Sequence, residues 1–169
     1  GVILGANIGT TVTSQLVALH LTNIAPYFVL LGFFVTYFGR SYKHLGKPIF
    51  YFGLVFFTLS LISLYIEPVK SDLSVVALFS SLDNIYVALL VGVVFTAIIQ
   101  SSSVTSGLVV LLVGAGLLGF NQALGVILGA NIGTTGTALL ASAQMNVNAR
   151  RVALAHLLFN VFGVIIFLP

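Results

Sequence analysis

From Asn84 to Ala149 the chain runs for 66 residues without one charged side chain. All nine of its charges fall in three short stretches: Arg40 to Lys47, Glu67 to Asp83, and Arg150 with Arg151. A bilayer span takes about 20 apolar residues, so the uncharged interval has room for three crossings, or for two half-depth hairpin arms and one crossing. Only 5% of the residues are charged, against roughly 25% in a soluble domain. A water-soluble reading is excluded, and the fold class expected is an all-α membrane protein. The net charge of +3 then marks loops of an inserted protein and not a nucleic-acid surface. The absence of cysteine excludes disulfides and thiolate metal sites.

The second constraint is an internal repeat. Gly1 to Thr11, GVILGANIGTT, recurs letter for letter at Gly125 to Thr135, an offset of 124 residues, and Thr13 is matched by Thr137. Duplicated motifs in membrane chains often build one site from two halves. Because the sequence opens inside its own repeated motif, Gly1 is expected to be the start of a truncated chain.

Apolar patterning divides the rest. Helical segments are expected over 2–20, 27–38 and 49–66, the last ended by Glu67 and Pro68. A basic loop, Gly39 to Pro48, precedes the third. A mixed-charge connection, Pro68 to Asn84, carries a short turn near Leu73 to Ser80. Apolar runs follow over 85–99 and up to about Leu118. The second motif copy lies in a segment from Ala123 to about Ala143, and a final span, 152–168, follows the Arg pair. By residue, 1–48 reads as the remainder of a first repeat, 49–84 as a linking span with its loop, and 85–169 as a second repeat.

The positive-inside bias places the basic stretches 39–48 and 149–151 in the cytoplasm and the acidic connection outside. The two motif copies then cross in opposite directions, an inverted repeat with its site near the bilayer midplane. That requires 27–38 to cross; otherwise the copies run parallel. Shifting 152–168 back by the repeat offset lands on 28–44, which supports the crossing.

Gln100, Ser101, Ser102 and Ser103 interrupt an otherwise apolar stretch. Four consecutive polar side chains point all round a helix, so no single face can hide them from hydrocarbon. A break in the helix is the economical solution. It exposes a helix N-terminus whose free N–H groups and dipole suit an anion, while released carbonyls and the Gln and Ser oxygens suit a hard cation such as Na+. The competing reading is interhelical hydrogen bonding without a ligand.

The repeated motif is divided in the same way. Gly1, Gly5 and Gly9, like Gly125, Gly129 and Gly133, recur at the four-residue spacing that lets helices pack closely. Packing does not account for Asn7, Thr10 and Thr11, or for Asn131, Thr134 and Thr135. These also read as caps or unwound turns offering oxygen atoms. No lysine accompanies either motif, which excludes a P-loop. The expected spans hold no Asp, Glu, Lys or Arg, so a bound anion must be held by neutral donors and helix ends, balanced by co-bound cations. This favours cation-coupled anion transport over a proton relay. His20 and His156 are expected near segment ends, as capping or interfacial residues, and His44 in the basic loop. No nucleophile–base pair or metal-ligand cluster supports an enzyme.

QSSS at Gln100 to Ser103, GANIGTT about thirty residues later, and the closing RRVALAHLLFN from Arg150 to Asn160 resemble the sodium/phosphate cotransporter family, the type II cotransporters and their bacterial relatives. The resemblance implies an inverted-repeat bundle with re-entrant QSSS hairpins in a multi-pass protein of the cell membrane, taking up inorganic phosphate with Na+ as coupling ion. It implies that Gln100, Ser101, Ser102 and Ser103 contact phosphate and Na+, and that Asn131, Thr134 and Thr135, with Asn7, Thr10 and Thr11, line the same region. The first QSSS of the pattern is absent; the offset places it 25 residues upstream of Gly1, so half of the site would come from a longer chain or a second copy in a homodimer. Two other readings stay open: a non-transporting assembly or regulatory membrane module, and an ion channel with a GANIGTT filter.

Overall fold

The computed structural model describes residues 1–19 and 21–168, and His20 falls outside them. Among the described residues nine α-helices follow one another: α1 (Val2–Ala18), α2 (Ala25–Phe38), α3 (Lys43–Val69), α4 (Leu73–Ser80), α5 (Ile85–Ile99), α6 (Ser102–Gly114), α7 (Phe120–Gly133), α8 (Thr135–Ser142) and α9 (Val147–Phe167). Among the described residues, 40–66, 120–142 and 147–167 are long and apolar enough to cross a bilayer, and α4 with α5 forms a further apolar pair bent by 105°.

The burial pattern is that of a protein solvated by lipid. Buried side chains include Thr96, Thr105, Thr135, Ser102 and Asn160, while Phe34, Tyr65, Leu90, Ile98 and Phe162 are exposed. Lipid tails are as apolar as leucine, so large apolar groups gain little by turning inward, and helices associate through small residues and hydrogen bonds instead. α7 lies in register along α5 in this way. A Cβ added at Gly125 would sit 2.7 Å from the Ile85 carbonyl oxygen. At Gly129 and Gly133 it would overlap the Leu89 and Val93 carbonyls, and at Gly92 on the facing helix it would overlap that of Val126. α2 and α3 pack antiparallel by the same means, Gly32 against Phe50 and Gly53 against Val29.

Several boundaries differ from expectation. The stretch 39–48 is no open loop: a 3-10 turn, Arg40–Tyr42, leads straight into α3, and α3 carries Pro48 and Pro68 inside it. Each proline forfeits one backbone hydrogen bond, Pro48 in the second turn of α3 and Pro68 in its last. The final helix begins at Val147, because Asn146 caps it by accepting from the Ala149 amide at 2.9 Å. Arg150 and Arg151 therefore belong to its first turns. Arg150 donates back to the Ala143 carbonyl at 2.6 Å, satisfying the end of α8.

Candidate functional site

The polar interruption is narrower than four residues. Gln100 adopts the left-handed conformation, φ +59°, and ends α5 with its amide on the Thr96 carbonyl at 2.6 Å. Ser101 is extended and caps α6, its Oγ accepting from the Val104 amide at 3.4 Å. Ser102 and Ser103 are already helical. The break expected at this polar run thus spans two residues, Gln100 and Ser101. Once Ser101 supplies a cap, the next two serines gain more from helical backbone bonds than from staying unwound.

Two buried threonines hold the arms of this turn together. Thr96 on α5 and Thr105 on α6 share a hydrogen bond of 2.8 Å, and Thr105 also donates to the Ser101 carbonyl at 3.1 Å. Their roles are unequal. Thr105→Val removes both contacts and is expected to cost about 1–3 kcal/mol, whereas Thr96→Val leaves the Ser101 contact in place and costs about 1 kcal/mol. Chemical denaturation in detergent micelles measures the difference; equal losses would show that the Ser101 contact contributes nothing.

The first motif copy reaches the same region on α1. Thr13 donates to Ser103 Oγ at 3.4 Å, and Val17 one turn on lies beside Gly107, so α1 runs in register along α6. Asn7 donates through Nδ2 to Asn160 Oδ1 at 2.8 Å, and Asn160 Nδ2 donates to the Asn131 carbonyl at 2.8 Å. Asn160, itself only 5% exposed, thereby bridges the two copies of the motif at their shared asparagine. Gly133 packs on Thr96 and Ala97, which brings the end of α7 level with the end of α5.

Not every candidate converges. Gln100 and Thr11 are exposed, and the hydroxyls of Thr10 and Thr11 both return to the Asn7 carbonyl at 3.0 Å. Thr135 is buried with its hydroxyl on the Ile132 carbonyl at 2.7 Å, and Thr134 is the single residue, itself near helical, between α7 and α8. Ser102 is buried at the start of α6. Three site residues were missed by sequence reasoning: Thr96, Thr105 and Asn160. The threonines flank the interruption, four residues before Gln100 and four after Ser101. Asn160 is the one amide in the expected final span, a costly group in hydrocarbon and for that reason a signal in itself. His156 is not at a segment end, since α9 starts early; it lies one turn before Asn160, its Nε2 buried without a hydrogen-bond partner.

The chemistry on offer is neutral. The first turn of α6 presents amides that no helical carbonyl reaches, beside the hydroxyls of Ser102, Ser103 and Thr13. Oxygens of the exposed Gln100 stand next to them in the chain, while the Ser101 carbonyl already accepts from the Thr105 amide and hydroxyl. Such a pairing of donors with oxygens suits an oxyanion accompanied by a hard cation.

The fold and this site define a multi-span helical membrane protein whose polar groups are gathered inside around an interrupted helix pair. The chain belongs to the Na+/Pi-cotransporter family, whose profile it matches over residues 1–64 and 67–168. This is a family of transporters. Among curated relatives, "Uncharacterized protein YqeW" of Bacillus subtilis is 39% identical over 99% of this chain and 55% of its own length. "Putative inorganic phosphate export protein YjbB" of Escherichia coli is 33% identical over 99% of this chain and 32% of its own length. "Sodium-dependent phosphate transport protein 2C" of Mus musculus is 45% identical over 48% of this chain and 14% of its own length. The chain thus spans about half or less of the relatives it matches. No solved structure gives a significant match.

Proposed function

We propose that this chain serves Na+-coupled uptake of inorganic phosphate across the cell membrane, with the anion at the first turn of α6 and Na+ among the oxygens of Gln100 to Ser103. The observation that carries the reading is the capped interruption at Gln100 and Ser101, flanked by uncharged donors on α6 and α1. A doubly charged phosphate without a protein cation needs co-bound Na+ to enter a low-dielectric site, which is the physical argument for symport.

The register of α1 along α6 and of α7 along α5 supports opposite crossing directions for the two motif copies, hence an inverted repeat. Residues 1–48 then form one module and 85–169 the other, with 49–84 between them. In the second module the glycine face of α7 is covered by α5. In the first, a Cβ at Gly1, Gly5 or Gly9 meets nothing within 4 Å. A symmetric carrier needs an α5-like helix on that face, supplied by a longer chain or by a second copy. The basic turn 39–48 and the Arg pair face the cytoplasm in this reading.

Relatives' names point to both export and sodium-dependent transport, so the test separates coupling from direction. Labelled phosphate is expected to accumulate in proteoliposomes under an inward Na+ gradient, and not under an equal K+ gradient. Ser102→Ala or Ser103→Ala reduces the rate at least tenfold, since each removes a donor to a charged ligand. Na+-independent flux would overturn the coupling, accumulation only under an outward gradient would reverse the direction, and conductance far above carrier turnover would replace the carrier with a channel.

A further inference from the structure

A groove of about 310 Å3 lies between α2 and α3, at the end of the pair that carries the basic turn. Phe33, Thr36, Tyr37, Phe50 and Tyr51 line it, with Lys47 as its single charge. Arg40 and Lys43 are exposed on the adjoining turn. The groove is firmly built, because Gly46 packs on Thr36 and Gly32 on Phe50 without room for a side chain.

The charge at this end has no counterpart within its own segment. Residues 39–48 contain three cations, one histidine and no acid. The nearest acid along α3 is Glu67, twenty residues on, which at the helical rise is about 30 Å away. The remaining acids belong to that far end too: Asp72 caps α4, and Asp83 accepts from Gln122 at 2.7 Å.

We propose that this groove binds an anionic phospholipid, its phosphate at Lys47 with Arg40 and Lys43 alongside, and an acyl chain against Phe33 and Phe50. The charges fix this turn at the bilayer surface, since they are costly any deeper. Tyr37 and Tyr51 then stand at the interface, where amphipathic rings are favoured. A free inorganic anion uses the cations and leaves the aromatic wall idle; a zwitterionic lipid uses the wall and leaves the cations uncompensated. Only a negatively charged headgroup on an acyl chain uses both, and basic pockets between helices are known to favour such lipids. The site is independent of the phosphate reading above, because it shares no residue with the α5–α6 turn.

Titration of the detergent-solubilised protein with phosphatidylglycerol is expected to raise its melting temperature, with phosphatidylcholine giving no comparable rise. Lys47→Gln weakens the apparent affinity for phosphatidylglycerol about fivefold, and adding Lys43→Gln weakens it by about the same factor again, the effect of one interfacial cation each. Arg151→Gln, which removes an exposed cation on α9, leaves the affinity unchanged. Native mass spectrometry of the same variants counts retained lipid, so a shifted baseline in melting does not obscure the result. Equal stabilisation by phosphatidylcholine, unaltered affinity in the double variant, or a rise with inorganic phosphate alone that the double variant abolishes overturns the assignment.

Discussion

Gly129→Val is expected to abolish folding of the α5–α7 pair, while Gly5→Val, the same change at the same letter of the repeat, leaves this chain's stability nearly untouched. A side chain at Gly129 overlaps the Leu89 carbonyl and crowds the Val93 amide, which are backbone groups that cannot turn aside. The two helices must separate, and with them goes the placement of Gly133 against Thr96 at the end of α5. Overpacking alone typically costs about 1–3 kcal/mol, and loss of the close helix approach adds to it, so the expected loss exceeds 3 kcal/mol. Gly5 has open space around it and sits on an exposed face, where a change of this kind stays within about 1 kcal/mol. Size-exclusion chromatography and thermal melting of both variants read the contrast. Equal tolerance at the two sites would mean that α5 and α7 are not closely packed in the membrane. Equal sensitivity would mean that another helix covers α1.

That contrast shows where the sequence is informative and where it falls silent. The repeat is visible as letters, and the four-residue glycine spacing announces close packing. Whether a given copy is packed depends on what lies opposite, and identical letters at Gly1 to Gly9 and Gly125 to Gly133 carry no record of it. The helical interruption was legible because contiguous Gln and Ser cannot all be hidden. Its width was not, since Ser101 decides the matter by capping α6, and a cap depends on the local backbone at one residue. The ends of α3 and α9 were misplaced by a few residues because Pro48, Pro68, Arg150 and Arg151 look like boundaries. All four instead lie within the first two turns or the last turn of a helix, and Arg150 reaches back to the carbonyl end of α8. Burial inverted the soluble rule, with threonines inside and phenylalanines outside, and that follows from composition once the solvent is lipid.

Asn160 was least legible, and it leads to the second large effect. The lone amide of the final span signals a costly group, but its partners lie 153 and 29 residues away, so nothing local tells what it binds. Its amide uses both ends at once: the oxygen accepts from Asn7 and the nitrogen donates to the Asn131 carbonyl. Asn160→Ala leaves a donor and an acceptor unpaired in part-buried surroundings and is expected to cost about 1–3 kcal/mol. Asn160→Asp preserves the acceptor for Asn7 but sets a carboxylate oxygen against the Asn131 carbonyl, so it is expected to be worse than alanine, not milder. A double-mutant cycle between Asn7→Ala and Asn160→Ala isolates the link between the two motif copies, with a coupling of about 0.5–2 kcal/mol if the bond is formed in the bilayer. Phosphate flux supplies the discriminating readout. If the bridge positions α1 beside the α6 turn, Asn160→Ala weakens half-saturation by phosphate more than it lowers the maximal rate, because Ser103 keeps its hydroxyl but loses the fixed position of Thr13. A fall in maximal rate with unchanged half-saturation would instead assign Asn160 to the moving step of transport.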